Sequence, residues 1–291
     1  MFTGAITALI TPFQGGKFDY KSYNKLINWQ IDCGIAGFVP CGTTGESPTL
    51  SHEEHNMVVS ACVEAVEKRV PVIAGAGSNS TDETILMAQH AKNVGADAVL
   101  VVAPYYNKPT EEGVYQHFKA VNEQVDIPII IYNIPGRSVI DISDNLVFKL
   151  SQLQNIVGIK DATGDIARLS NLKLLIKRHD FCYLSGEDAT MLAYNSQGGN
   201  GVISVTANIF PELCVKLQRL SLIENDYIQA LKIHQELMPI HQALFCETSP
   251  APVKYAAKLL GLCDDEIRLP MVKPTKENQR YIEDILANYR N

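Results

Sequence analysis

The sequence predicts a TIM barrel, an α/β fold built of eight strand–helix units, followed by a C-terminal three-helix appendage. Two observations favour this fold. Short apolar runs rich in β-branched residues recur eight times within roughly 220 residues, and segments with helical periodicity lie between them. An open doubly wound sheet usually has about five to seven strands, so eight units favour the closed barrel.

The predicted strands are short hydrophobic segments bounded by turn residues. Such continuous apolar runs are typical of parallel strands that are covered on both faces. Their ranges are 6–10, 37–39, 70–74, 98–103, 127–132, 156–160, 181–185 and 202–205.

Further segments have helical periodicity and alternate with the strands, among them 21–33, 52–67, 81–93 and 111–123. Two of these helices start with the spacing of a capping box, Ser51 with Glu54 and Ser80 with Glu83. Gly95 lies where the 81–93 helix is expected to end, because glycine tolerates the left-handed backbone of a helix C-terminus.

The strand pattern stops beyond residue 223. Segments 226–245, 250–262 and 275–289 predict three helices, so the chain divides into a barrel at 1–223 and a C-terminal helical region at 224–291. No linker rich in Gly, Pro or Ser separates the two, and we therefore expect them to pack directly against each other.

Composition and charge exclude several classes of protein. With 46% hydrophobic residues and a net charge of -7, the chain is globular and has no basic footprint for nucleic acid or a membrane surface. Seven cysteines, odd in number and without a CxxC pair, predict reduced thiols. We find neither a signal peptide nor an apolar run of ~18 residues, so a cytoplasmic location is expected.

The segment 156–163 carries the most informative residue, since Lys160 stands at the C-terminal end of an apolar strand. A buried ammonium group is costly, so such a lysine either extends to water or becomes a neutral, nucleophilic amine. Lysines that merely end a strand are common. However, active sites of TIM barrels lie at the C-terminal ends of the strands, which makes Lys160 a candidate nucleophile.

Other strand ends carry residues that suit an acid substrate. Thr43 and Thr44 lie between two glycines after the second strand, and their hydroxyl and N–H groups are suited to a carboxylate. Tyr106 follows the fourth strand, Tyr132 ends the fifth, and Arg137 follows it. A phenol can transfer protons, and a guanidinium group can hold a second carboxylate with two hydrogen bonds.

The last two strand ends, near Gly186 and Ile203, offer exposed main chain to a small substrate. Metal chemistry is the alternative, but the close histidine pair His52 and His55 lacks the spacing of the zinc-protease helix, and we predict no metal. An amine, phenols, hydroxyls and one arginine predict carbonyl chemistry through a Schiff base, without a cofactor. The residues thus indicate a class I aldolase, or a related lyase or synthase, for a small keto acid.

Five motifs together resemble the dihydrodipicolinate synthase family, a branch of the N-acetylneuraminate lyase and class I aldolase superfamily. The resemblance spans nearly the whole chain and includes the C-terminal segments 250–254 and 269–271. The motifs are Gly42-Thr-Thr-Gly-Glu-Ser47, Pro104-Tyr-Tyr-Asn107, Tyr132-Asn-Ile-Pro-Gly-Arg137, Gly158-Ile-Lys160-Asp-Ala-Thr163 and Gly201-Val-Ile-Ser-Val-Thr206.

The resemblance implies a reaction in lysine and diaminopimelate biosynthesis. Lys160 would form an imine with pyruvate, and the derived enamine would add to L-aspartate 4-semialdehyde to give 4-hydroxy-tetrahydrodipicolinate. Tyr132 would donate and accept protons, with Thr43 linking it to a Tyr106 that enters from a neighbouring subunit. A dimer would then be obligatory, and a tetramer made of two dimers is expected.

The resemblance also implies the contacts to substrate. Thr44 would hold the carboxylate of pyruvate, Arg137 that of the semialdehyde, and the main chain near Gly186 and Ile203 would line the pocket. Sugar-acid aldolases and lyases of the same superfamily share the lysine and tyrosine, and they remain an alternative that Arg137 disfavours. A barrel that only binds a ligand is a weaker third possibility.

A second resemblance concerns regulation by L-lysine. Seven residues match the inhibitor site of lysine-inhibited members, where Glu83 would pair with an ammonium group. Pro48 stands where such members often carry alanine. The alternative for His52 and His55 is that they are ordinary surface residues in the first turn of a helix. The seven residues are Ser47, Pro48, His52, His55, Asn79, Glu83 and Tyr105.

Overall fold

The computed structural model describes residues 2–289 and contains a parallel eight-stranded barrel. Its strands are β1 Gly4–Ala8, β4 Gly37–Val39, β5 Ile73–Gly75, β6 Ala98–Val102, β7 Ile129–Asn133, β8 Ile156–Asp161, β9 Cys182–Ser185 and β10 Gly201–Ser204. They pair in the order β4-β1-β10-β9-β8-β7-β6-β5, and a bridge between Phe38 and Val72 connects the two ends. The predicted fold class is confirmed.

Strand boundaries differ from the predicted ones by a few residues. The third predicted strand, 70–74, starts later, at Ile73, because Pro71 has no N–H group to donate. Its carbonyl oxygen still accepts a hydrogen bond from the N–H of Phe38 at 3.0 Å. The start of this strand therefore depends on its hydrogen bonds to the neighbouring strand and not on the apolar run alone.

An additional hairpin follows β1 and joins β2 Phe13–Gln14 to β3 Lys17–Phe18. Gly15 and Gly16 form its two-residue turn with φ of 60° and 78°, a conformation that a hairpin of this length requires and that glycine adopts at low cost.

Helices cover the barrel between the strands. They are α1 Tyr20–Asp32, α2 His52–Val66, α3 Thr81–Val94, α4 Glu111–Gln124, α5 Pro135–Ser138, α6 Asp144–Leu150, α7 Ile166–Leu175, α8 Met191–Ser196 and α9 Pro211–Leu222. The C-terminal region adds α10 Tyr227–Leu244, α11 Ala251–Leu259 and α12 Lys276–Ala287. Helix α10 packs along α9, and α11 and α12 pack against α10.

The capping predictions had different outcomes. Ser51 and Glu54 form the reciprocal capping box of α2, and Gly95 ends α3 with φ of 92°. The prediction of a second capping box, at Ser80 and Glu83, was wrong. Ser80 accepts a hydrogen bond from the N–H of Glu83, but the Glu83 carboxylate accepts from Ser78 Oγ at 2.6 Å and so does not return to the helix start.

Among residues 2–289, we find no helix that combines the length and the apolar character needed to cross a membrane.

Candidate active site

Lys160 lies at the C-terminal end of β8, directly beside Tyr132 at the end of β7. The parallel register pairs these two residues, and Lys160 Nζ is 4.1 Å from the centroid of the Tyr132 ring. Both residues are only 6% exposed. Within residues 2–289 Lys160 Nζ forms no ion pair, and its neighbours include this ring and the charge of Glu187.

Glu187 is an acidic residue that the sequence analysis did not single out. Burial and the neighbouring Asp188 raise the pKa of its carboxyl group, while the charge of Lys160 opposes this shift. It directly follows Gly186 at the end of β9, so its position after a strand was a signal that could have identified it.

A cavity of about 230 Å³ opens at the C-terminal ends of β4 to β7. Tyr132 lines it and also contacts Lys160, so the phenol ring connects the lysine to this space. The cavity wall further includes Thr43, Tyr105 and Arg137 from the predicted set, and Ser138, which was not predicted. The predicted catalytic and substrate-binding residues outside its lining are Lys160, Tyr106, Thr44, Gly186 and Ile203.

The Thr43-Thr44 turn is tightly built. The N–H of Gly45 donates to the carbonyl oxygen of Gly42 at 3.0 Å, and Thr44 is buried. Gly75 lies against this loop so closely that a Cβ atom there would be 2.2 Å from the carbonyl oxygen of Cys41. Since no side chain fits at Gly75, backbone packing fixes the loop that carries both threonines.

An ionic network around the buried guanidinium group of Arg168 holds the end of β8. The guanidinium group of Arg168 lies 2.8 Å from Asp141 Oδ1 and 3.4 Å from Oδ2 of Asp161, the residue after Lys160. Burial raises the pKa of Asp161, against the opposing hydrogen bonds from Thr163 and the charge of Arg168. The sequence analysis missed Arg168, because an arginine inside a helix carries no signal of the carboxylates that it will meet.

Tyr106 is the one predicted catalytic residue that the chain does not bring to its own site. Its side chain is 86% exposed, and its φ of 72° is in the left-handed region that non-glycine residues rarely adopt. The preceding Tyr105 lines the cavity.

The other three predicted substrate-binding residues, Arg137, Gly186 and Ile203, lie at different places in the barrel. Arg137, on α5, lines the cavity and donates from Nη2 to the carbonyl oxygen of Ser249 at 3.3 Å. The N–H of Gly186 donates to the carbonyl oxygen of Asp161 at 2.7 Å, and Ile203 is buried in β10.

A second cavity of about 180 Å³ adjoins the first and shares Ser47, Pro48, Gly77 and Tyr105 with it. It is also lined by His52, His55 and Glu83, so six of the seven residues predicted for the L-lysine site lie around one space. Asn79 is not among the lining residues, and its carbonyl oxygen accepts from Asn107 Nδ2 at 2.9 Å.

The two histidines of this second cavity are in different environments. His52 is exposed, and its Nε2 lies 3.8 Å from Glu83 Oε1. His55 is buried, its Nε2 lies 2.9 Å from the carbonyl oxygen of Gly75, and burial lowers its pKa to about 4. The interpretation as a surface residue therefore fits His52 but not His55.

A barrel that sets a buried lysine beside a tyrosine, next to a cavity at the C-terminal ends of the strands, is an enzyme of the class I aldolase type. A model of the dihydrodipicolinate synthetase family matches residues 1–289. The chain belongs to this family, and the resemblance predicted from its motifs is confirmed. A curated relative, the 4-hydroxy-tetrahydrodipicolinate synthase of Parvibaculum lavamentivorans, is 58% identical over 272 residues, which cover 94% of this chain and 93% of the relative.

Solved structures agree with this assignment. A chloride-inhibited dihydrodipicolinate synthase from Acinetobacter baumannii in complex with pyruvate matches with a TM-score of 0.96 and 42% identity, covering 99% of both chains. The enzyme from Cyanidioschyzon merolae with lysine bound matches with a TM-score of 0.95 and 34% identity, over 98% of this chain and 97% of that chain. A monomeric dihydrodipicolinate synthase variant also matches, with a TM-score of 0.95 and 39% identity, over 98% and 96%.

Proposed function

We propose that the protein condenses pyruvate with L-aspartate 4-semialdehyde and that Lys160 carries pyruvate as an imine. The observation that carries this proposal is the contact between Lys160 Nζ and the Tyr132 ring, 4.1 Å apart at the C-terminal end of the barrel. The similar enzyme from Acinetobacter baumannii, which was solved with pyruvate, supports the choice of keto acid.

The reaction starts at the amine of Lys160. Nζ attacks the keto carbon of pyruvate, water leaves, and the imine draws electrons from the adjacent methyl group, which loses a proton to give an enamine. The enamine carbon then forms a bond with the aldehyde carbon of the semialdehyde, whose oxygen takes up a proton. The amino group of the added semialdehyde displaces Lys160 from the imine carbon, which closes the ring and frees the lysine.

Tyr132 is the group best placed to move these protons, because its ring contacts the reacting amine and also lines the cavity. Thr43 lies on the same cavity wall and would pass protons onward to Tyr106. The turn at Thr43 and Thr44 would hold the carboxylate of pyruvate, and Arg137 would hold that of the semialdehyde. The main chain near Gly186 and Ile203 would complete the pocket.

Borohydride reduction tests the chemistry. Treatment with pyruvate and borohydride should add a stable mass to Lys160, which peptide mapping can locate. An unmodified protein would contradict any Schiff-base mechanism. Turnover of N-acetylneuraminate or a keto-deoxy sugar acid, without turnover of L-aspartate 4-semialdehyde, would instead assign the enzyme to the sugar-acid aldolases.

The active unit in this proposal is a dimer, and two dimers would pair into a tetramer. Support comes from Tyr106, whose exposed side chain and unusual φ suit a residue that reaches a partner's site. A similar structure of a monomeric variant makes this point worth a direct test.

Mixing two inactive variants gives that test. Lys160→Met and Tyr106→Phe should each be nearly inactive. After subunit exchange, the mixed dimer has one site with an intact lysine and an intact tyrosine from the other subunit. About a quarter of the wild-type activity should therefore return, whereas no recovery after proven exchange would contradict a shared site.

We place an L-lysine inhibitor site in the second cavity. Glu83 and His52 offer a carboxylate and an imidazole beside the shared residues Ser47, Pro48 and Tyr105. The similar enzyme from Cyanidioschyzon merolae, solved with lysine bound, supports the choice of ligand. Such inhibition fits an enzyme of lysine biosynthesis in the cytoplasm, where the free thiols of this chain stay reduced.

Titration with L-lysine tests this site. Glu83→Gln should weaken inhibition by about tenfold or more, because the carboxylate that pairs with the ammonium group is lost. Glu53→Gln, on the exposed start of α2 and outside the cavity, is the matched control and should behave as wild type. If L-lysine neither binds to the wild type nor inhibits it, the proposed site is refuted.

A further inference from the structure

The turn that carries Thr43 and Thr44 is connected to the C-terminal helices by a buried ion pair. Glu46 follows the turn and adopts a left-handed conformation with φ of 58°, and its N–H donates to the carbonyl oxygen of Thr43 at 3.2 Å. Its carboxylate Oε1 lies 2.6 Å from Nζ of Lys254 on α11. Neither side chain is more than 2% exposed.

A second contact joins the same helix to the same turn. Lys254 Nζ also donates to the carbonyl oxygen of Thr11 at 3.0 Å, and the hydroxyl of Thr11 donates to the carbonyl oxygen of Gly45 at 2.7 Å. The other carboxylate oxygen of Glu46 accepts from the N–H of Arg268 at 3.1 Å. Lys254 thus reaches the turn both through Glu46 and through Thr11.

Stability alone does not account for this ion pair. Two buried charges lose their hydration, and a well-packed apolar pair in their place is often equally or more stable. The proposed function supplies another reason, since a carboxylate must bind at Thr43 and Thr44. An unpaired Glu46 anion close to that turn would repel the substrate and would draw the turn towards water.

We propose that Glu46 and Lys254 are positioning residues for the pyruvate site, which hold the Thr43-Thr44 turn in place and neutralise the carboxylate behind it. The inference rests on the proposed function, because it assumes that the turn receives pyruvate. It assigns to the C-terminal helices a part in substrate binding, although they supply no residue to the turn itself.

The experiment measures the pyruvate concentration that half-saturates borohydride trapping at Lys160. Lys254→Met should raise this concentration about tenfold, the effect of losing one charge-assisted contact. The amount trapped at saturating pyruvate should stay at the wild-type level, because Lys160 itself is unchanged. The double variant Glu46→Gln with Lys254→Met should return most of the way to wild type, since no unpaired charge remains.

Two further variants complete the design. Lys258→Met is the matched control on the same helix, because Lys258 pairs with Asp265 and not with the turn, and it should leave half-saturation unchanged. If Lys254→Met does not fold, Glu46→Asp takes its place. It keeps the charge but is one methylene shorter, so the ion pair persists only if the turn moves, and the half-saturating concentration should again rise.

The outcomes separate the two proposals. A wild-type protein that is not trapped at all refutes the proposed function. A trapped wild type whose Lys254→Met variant, or Glu46→Asp in its place, has the same half-saturation refutes the positioning role. A double variant no better than Lys254→Met refutes it too, because lost packing rather than an unpaired charge then explains the defect.

Discussion

Lys160 and Lys254 are both buried, and they differ in what surrounds their ammonium groups. Lys254 contacts the Glu46 carboxylate, the carbonyl oxygen of Thr11 and the ring of Phe13, whose centroid is 4.4 Å from Nζ. Lys160 has the ring of Tyr132 and no ion pair within residues 2–289. Burial lowers the pKa of Lys254, and the charge of Glu46 opposes this shift.

If Lys160 carries pyruvate as we propose, burial alone does not make a lysine reactive, because Lys254 is buried as well. At Lys254 a carboxylate and a carbonyl oxygen stabilise the ammonium form and take up two of its three N–H donors, and this form has no lone pair to attack a carbonyl carbon. The proposed reaction instead needs a free amine next to a phenol and a cavity, which is the position of Lys160. Variants of the two lysines and of Tyr132 therefore test whether Lys160 is the reactive lysine and Lys254 a structural one.

The largest effect is expected at Lys160, the proposed nucleophile. Lys160→Met should lower kcat/KM by at least about 10³-fold, because no other amine replaces it at the end of β8. It should not lower the free energy of unfolding, since the variant removes a buried charge without an ion-pair partner. Steady-state kinetics and urea unfolding check both statements, and a stable variant that retains activity would falsify the assignment.

At Lys254 the expected loss is in stability. Lys254→Met should lower the free energy of unfolding by about 3–5 kcal/mol, because it leaves Glu46 buried and unpaired. Lys258→Met removes a half-exposed lysine whose buried partner Asp265 keeps a second ion pair, with Lys273 at 2.8 Å, so it should cost less than about 1 kcal/mol. Chemical denaturation measures both, and equal losses in the two variants would contradict the contrast.

The neighbour of Lys160 can be tested separately from the lysine itself. Tyr132→Phe keeps the ring next to Nζ but removes the phenol hydroxyl, so kcat should fall by about 10²-fold, the lower end of the effect of a general acid or base. Trapping of pyruvate on Lys160 should remain detectable. A variant with wild-type kcat would show that protons move by another route.

The smallest effect is expected in the pH dependence of stability, which two buried histidines influence. Burial lowers the pKa of both His55 and His117 to about 4. An unfolded histidine titrates near 6.5, so the unfolded chain binds more protons between these values, and stability should fall as the pH is lowered from about 6.5 to about 4. Each histidine contributes up to about 3 kcal/mol.

His117→Gln should flatten this pH dependence, because one of the two buried imidazoles is absent. Urea unfolding at several pH values measures the slope. If the slope in the variant equals that in the wild type, His117 is already protonated in the folded protein or takes up its proton at the same pH in both states.

The sequence by itself determined the fold class and the position of the candidate nucleophile. Apolar runs and helical periodicity are local, because they depend on residues close together in the sequence. A parallel barrel then brings the C-terminal ends of all its strands to one face. Lys160, Tyr132, Thr43 and Arg137 were predicted as site residues in this way. The Gly15-Gly16 hairpin also had a local signal, but the sequence analysis did not use it.

Only the tertiary structure decided which buried charges meet. Arg168 meets Asp161, and Lys254 meets Glu46. The two members of each pair lie on different elements or far apart in the chain, and no sequence periodicity predicts such a partner. The same holds for Glu83, whose carboxylate binds Ser78 instead of completing a helix cap. Side-chain partners depend on three-dimensional distance, whereas secondary structure depends largely on sequence neighbours.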